Sequence, residues 1–158
     1  MSAHRITSFY ERGGLWLLGQ GTLLLAVAVL AVRFRGTAPR CGIAPTGAVL
    51  LGLGTGVISA GALALGRSLT PFPKPSKKGQ FVRSGIFSLI RHPLYTGVML
   101  ASAGWALIWQ SRPALFVALA LIPFFAAKAR REEYWLREKF PEYAYYERQV
   151  NRFIPGIH

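Results

Sequence analysis

The stretch LWLLGQGTLLLAVAVLAV, Leu15 to Val32, decides the class of fold. Its eighteen residues carry no charge and one strongly polar side chain, Gln20. At about 1.5 Å per helical residue, such a run crosses most of a hydrocarbon core about 30 Å thick. The AVAVLAV end imitates a signal-peptide cleavage region. The chain beyond it is again apolar rather than a secreted domain, so a retained helix is expected.

A glycine-rich apolar run covers Ala44 to Leu65. Two shorter ones, Tyr95 to Trp109 and Pro113 to Ala127, are separated only by QSR and read as a tight helical hairpin. The expected fold is an all-α integral membrane protein of about four transmembrane helices, ending in a helical hairpin with a cytoplasmic cofactor pocket. The chain, 1–158, reads as a single membrane domain: 1–66 hold two N-terminal spans, and 67–158 hold nearly all the reactive side chains. Composition agrees, with 52% hydrophobic and only 16% charged residues, against roughly 25% charged in an ordinary soluble domain.

Four spans place both termini on one side. The N-terminal arm, the 66–93 connection and the C-terminal tail hold fifteen of the nineteen Lys and Arg residues; Arg33, Arg35, Arg40 and Arg112 fall on the other side. The positive-inside rule then puts both termini and the reactive half in the cytoplasm. Basic loops against anionic headgroups account for much of the +13 net charge without nucleic acid. Membrane lipids are the expected neighbours, and no protein partner is predicted. Cys41 is the single cysteine, and His4, His92 and His158 are scattered, so neither a disulfide nor a metal centre is expected.

LGLGTG, 51–56, looks superficially like a nucleotide-binding glycine loop, but no strand precedes it and it lies mid-membrane. A helix-packing face of Gly52 and Gly56, extended by Ala60 and Ala64, is the expectation. TPFPKPSKKGQ, 70–80, carries three prolines that forbid a regular helix.

RHPLYTG, 91–97, is the first concentration of chemistry. Pro93 disfavours helical geometry at His92 and suits the first position of a helix, so a helix should begin there. Arg91 and His92 then sit at a helix N-terminus, whose free N–H groups invite an anion, with Tyr95 in the first turn. The alternative is structural: Arg91 as a topology anchor, His92 as an interfacial side chain, Tyr95 as part of an aromatic belt. The second concentration is AAKARREEYWLREKF, 126–140, which carries helical spacing out of the membrane. Lys128 and Glu132 are one turn apart, as are Glu133 and Arg137, a pattern that also suits solvated ion pairs. Both clusters belong to one hairpin and emerge on one side, so a shared interfacial cavity is expected.

SGIFSLIRHPLYTG, EEYWL and FPEYAYYERQVNRFIP resemble, in order and spacing, the C-terminal half of the isoprenylcysteine carboxyl methyltransferase family and its phospholipid N-methyltransferase relatives. The likeness covers about 66–157. It implies an integral membrane methyltransferase that uses S-adenosyl-L-methionine without a Rossmann domain. Carried over by position, it puts Gly79, Gln80, Phe81 and Val82 along the cofactor, with Phe87, His92, Pro93, Leu94 and Tyr95 continuing the wall and Glu132 as the acidic contact. Lys128 stands where relatives often have Arg and is implied as the substrate-binding residue. Phe87 stands where relatives often have Tyr, and Pro141 where they often have Gly.

Physical chemistry is compatible with that assignment. Glu132 suits an ammonium or ribose hydroxyls, and Phe81, Phe87 and Tyr95 offer rings to an adenine or a sulfonium. Lys128 suits an anionic acceptor, as a point charge rather than a bidentate fork. The tail reads as an interfacial helix or a lid, with Tyr143 and Tyr146 packing on the cofactor side. The expected function is methyl transfer to a lipidic or amphiphilic small molecule. A membrane NADPH-dependent reductase resembling sterol reductases, and a non-enzymatic membrane scaffold, remain as alternatives.

Overall fold

The computed structural model describes residues 9–37, 43–75 and 79–156. His4, Cys41 and His158 lie outside the described residues. The principal helices are α1 (Gly14–Arg33), α2 (Ile43–Leu65), α3 (Pro93–Ile108), α4 (Arg112–Lys139) and α5 (Tyr143–Gln149). Short 3-10 turns cover Gly66–Ser68 and Gly85–Ser88. Extended pairing among the described residues is limited to an isolated parallel bridge between Ile90 and Asn151. The all-helical expectation holds.

Three helices, over Gly14–Arg33, Ile43–Ser68 and Arg112–Lys139, are long and apolar enough to span a membrane. The expected fourth span falls on α3, which is apolar but only 16 residues long. At 1.5 Å per residue it rises about 24 Å, short of a 30 Å core. Pro93 fixes its start, and its end is set by the turn into α4.

α3 lies antiparallel along α2 on a seam of glycines spaced by seven, Gly47, Gly54 and Gly61 facing Gly97 and Gly104. A Cβ on Gly54 would sit 2.5 Å from the Ala101 amide nitrogen, and one on Gly104 2.5 Å from that of Leu51. The helices therefore meet backbone to backbone. The expected face of Gly52 and Gly56 is overturned: both are exposed, and a Cβ on either would meet nothing within 4 Å. Their side of α2 faces away from α3, because a residue two positions along a helix has turned by more than half a turn.

α1 packs antiparallel on α4. Val27 inserts against Ala118, Leu121 and Phe125, and Ala31 against Ala106 and Ala114. The hairpin between α3 and α4 is as tight as expected. Ser111 caps α4, accepting from the Ala114 amide at 3.4 Å, and donates to the Leu30 carbonyl at 2.9 Å, fastening the turn to α1. The start of α1, the connection after α2 and the polar part of α4 share the opposite end, where Gly13 approaches Pro73 and Trp135.

Candidate active site

At that end a cavity of about 400 Å³ opens between the connection after α2, the start of α3, α4 and α5. Gly79, Gln80, Phe81, Val82, Phe87, His92, Pro93, Leu94, Tyr95, Lys128 and Glu132 all line it. Residues far apart in sequence thus meet in one place.

Each wall has an identifiable support. Gln80 donates its backbone N–H to Ser68 Oγ at 3.2 Å, and Lys139 Nζ donates to the Gly79 carbonyl at 3.0 Å, which holds the 79–82 segment. Phe81 packs against Phe140, Tyr143 and Tyr146 with ring centroids 5.3 to 5.7 Å apart. The buried Tyr146 hydroxyl donates to the Phe87 carbonyl at 2.5 Å. Burial pushes that phenol up to about 12, against the nearby Arg91 guanidinium that pulls it down.

Pro93 is the first residue of α3 and His92 its N-cap, as the sequence reading expected. The anion site expected at this N-terminus is largely taken up by the protein's own carbonyls. Arg91 and His92 give their N–H groups to the carbonyls of Asn151 and Arg152 at 2.8 and 3.0 Å, and those of Tyr95 and Thr96 return to the His92 carbonyl at 3.1 Å. The tail after α5 is therefore pinned beneath the start of α3, with Thr96 Oγ1 donating to the Phe153 carbonyl at 3.0 Å.

The two adjacent glutamates of α4 have different fates. Glu133 is 1% exposed and consumed by its neighbours. It accepts Arg152 Nε and Nη2 at 2.9 and 2.6 Å, bonds His92 Nε2 at 3.1 Å and pairs with Arg91 Nη2 at 3.4 Å. Glu132 faces the cavity, where one oxygen accepts the Tyr95 hydroxyl at 2.6 Å. The ion pair of Glu133 with Arg137 that their spacing also suits does not form; Arg137 and Arg91 both reach Glu147 instead. Arg91 is accordingly an ion-pair partner with a side chain only 10% exposed, not a solvated anchor.

His92, Tyr95 and Phe125 form a column, His92 stacked on Tyr95 at 5.2 Å and Tyr95 on Phe125 at 4.7 Å. Tyr95 thus has its ring engaged by protein, and it meets the cavity chiefly through its hydroxyl and edge. Lys128 is 1% exposed. Its Nζ donates to Gln20 Oε1 at 2.5 Å and lies 5.1 Å from the Tyr95 ring centroid, and it makes no ion pair among the described residues. A buried ammonium served by a neutral amide and a ring is a place for an anion.

The phospholipid methyltransferase family model matches residues 43–143, more than half of the chain. The chain belongs to this family. The match spans α2, α3 and α4 and reaches the start of α5, so this phospholipid methyltransferase family member adds α1 with Gln20 and the pinned tail beyond it. Protein-S-isoprenylcysteine O-methyltransferase A of Arabidopsis thaliana is 27% identical over 139 residues, 85% of this chain and 70% of that protein. The cobalt-zinc-cadmium resistance protein CzcN of Cupriavidus metallidurans is 37% identical over 82 residues, and the nickel-cobalt-cadmium resistance protein NccN of Alcaligenes xylosoxydans xylosoxydans 32% over 82. The aligned part is 51% of this chain but only 38% of each of those two proteins. Among the described residues no group of three or more His, Cys, Asp or Glu is arranged to hold a metal ion.

Membership in the family, with three spanning helices, makes the chain an integral membrane protein of a methyltransferase family. Sequence reasoning missed Gln20 as part of the site, and Glu133 with Arg152 as the buried pair that supports it. For Gln20 the signal was present: a lone amide in an apolar span needs a partner. For Glu133 and Arg152 it was not, since spacing cannot say which of two adjacent glutamates turns inward.

Proposed function

We propose that this protein is an S-adenosyl-L-methionine-dependent methyltransferase whose acceptor is a lipidic or amphiphilic small molecule with an anionic group. The observation carrying the reading is that Lys128 and Glu132, one turn apart on α4, line the same cavity while Glu133 is fully occupied by protein. A cavity of about 400 Å³ is within the range of small-molecule sites. Its residues fit the donor chemically. Glu132 has an oxygen without a hydrogen-bond partner among the described residues, suited to an ammonium or a ribose hydroxyl, and the aromatic walls suit an adenine.

When bound, the donor supplies a methyl group on a sulfonium sulfur. Glu132, held by the Tyr95 hydroxyl, fixes the donor's polar end. Lys128, held by Gln20 and in no direct ion pair with a carboxylate among the described residues, orients the acceptor's anion. Phe81, Phe87 and Phe140 keep water out. Little proton transfer is demanded of the protein, so positioning carries most of the rate. The expected arrangement has the cavity on the cytoplasmic side and the acceptor entering from the bilayer.

The roles separate by mutation. Glu132→Gln should weaken S-adenosylhomocysteine binding about tenfold, by loss of a charge-assisted hydrogen bond. Lys128→Met should leave that affinity within about twofold and lower methyl incorporation into acceptor. Unchanged donor-product affinity in Glu132→Gln, or equal loss in both variants, contradicts the assignment.

A further inference from the structure

Two residues that line this cavity each carry a buried hydrogen-bond donor with no partner among the described residues. Tyr143 is 2% exposed, and its hydroxyl bonds to nothing there. The Arg91 side chain is 10% exposed; it spends its terminal nitrogens on Glu133 and Glu147 and leaves Nε–H unpaired and inaccessible. Both residues line the cavity. A buried donor left unmade costs about 1–3 kcal/mol, so two in residues that line one cavity are not a neutral feature.

Arg91 acts electrostatically on the Tyr143 phenol, as do Glu133 and Glu132. Burial is the largest influence there and raises the phenol, which therefore stays protonated and available to donate. Arg91 Nε–H can only donate, and the Tyr143 hydroxyl can donate beside it; of the nearby carboxylates Glu133 is committed to Arg152, His92 and Arg91 and Glu147 to Arg137 and Arg91, while Glu132 gives one oxygen to Tyr95 and turns the other to the cavity. The missing component is an acceptor.

We infer that Tyr143 Oη and Arg91 Nε form a subsite for a ligand carboxylate, separate from the Lys128–Gln20 pair on the same cavity. The inference rests on the methyltransferase reading for the identity of the ligand. Two sources share this chemistry: the amino-acid carboxylate of the methyl donor and the carboxylate of an acidic acceptor. Tyr143 is a binding residue in either case, not one that moves a proton.

Tyr143→Phe removes only the hydroxyl and keeps the ring that packs against Phe81 and Tyr146. The test titrates purified full-length protein, unaltered and Tyr143→Phe, with S-adenosylhomocysteine, with 5′-methylthioadenosine, which lacks the amino-acid end, and with the prenylated carboxylate N-acetyl-S-farnesylcysteine. Loss of about tenfold for S-adenosylhomocysteine alone assigns the subsite to the donor. The same loss for the prenylated carboxylate alone assigns it to the acceptor. The ligand-free variant should melt at the same temperature or higher, since an orphaned hydroxyl is gone. Unchanged affinity for every ligand the unaltered protein binds, or a lower ligand-free melting temperature, overturns the inference. If the unaltered protein binds no adenosyl ligand, the methyltransferase reading itself has failed, a result distinct from equal binding by both proteins.

Discussion

Glu133 is a carboxylate withdrawn from solvent, tolerable only because Arg152 grips it with two nitrogens while His92 and Arg91 approach from the start of α3. Breaking such a group by neutralising one member leaves the others uncompensated. Glu133→Gln should therefore cost about 3 kcal/mol, read as a lower melting temperature in detergent. Glu132→Gln, with a side chain 24% exposed, one hydrogen bond from Tyr95 and His92 Nδ1 at 3.7 Å, should melt nearly as the unaltered protein does. A second residue-scale expectation concerns alkali. The Tyr146 phenol is raised by burial from 10.0 to about 12, so the folded protein holds this proton more tightly than the unfolded chain. Its contribution is complete below pH 10 and is lost as pH rises through about 12. Tyr146→Phe should flatten the fall of melting temperature over that window; an identical slope in both proteins would show that the phenol does not ionise there.

Among the elements, α2 and α3 depend on five glycines, Gly47, Gly54, Gly61, Gly97 and Gly104, that admit close contact. Gly54→Ala places a methyl 2.5 Å from the Ala101 amide, and backbone cannot step aside, so about 1–3 kcal/mol of overpacking is expected. Gly52→Ala and Gly56→Ala meet no neighbour and should be neutral or stabilising. Melting temperatures of the three variants decide between the faces. This seam marks where reading the sequence stops. Four apolar runs, the start of α3 at Pro93 and the hairpin turn were legible, because proline geometry and turn residues act locally. Which glycines of LGLGTG pack was not, since it depends on where α3 lies; the seven-residue spacing shared by Gly47, Gly54, Gly61 and by Gly97, Gly104 was the usable signal. The length of α3 was likewise set by its turns rather than by how far apolar sequence extends.

At the scale of the whole molecule, the cavity exists because remote parts of the chain converge on it. Gln20 of α1 holds Lys128 of α4, the 79–82 segment is tied to Ser68 and Lys139, and the tail at 150–153 pairs with the RHP segment. The lining residues were legible through motif resemblance; the inward turn of Glu133 and the pinned tail were not, because both are products of tertiary packing. The tail, read from its aromatic pattern as an interfacial helix or a lid, also serves as a strut under α3 through residues 150–153. These convergent walls are proposed to bind an S-adenosyl methyl donor, and calorimetric titration of the purified protein with S-adenosylhomocysteine tests that most directly. Saturable one-to-one binding in the micromolar range is expected, with NADPH giving no heat of binding. No binding of S-adenosylhomocysteine at high micromolar concentration, or binding of NADPH in its place, would contradict it.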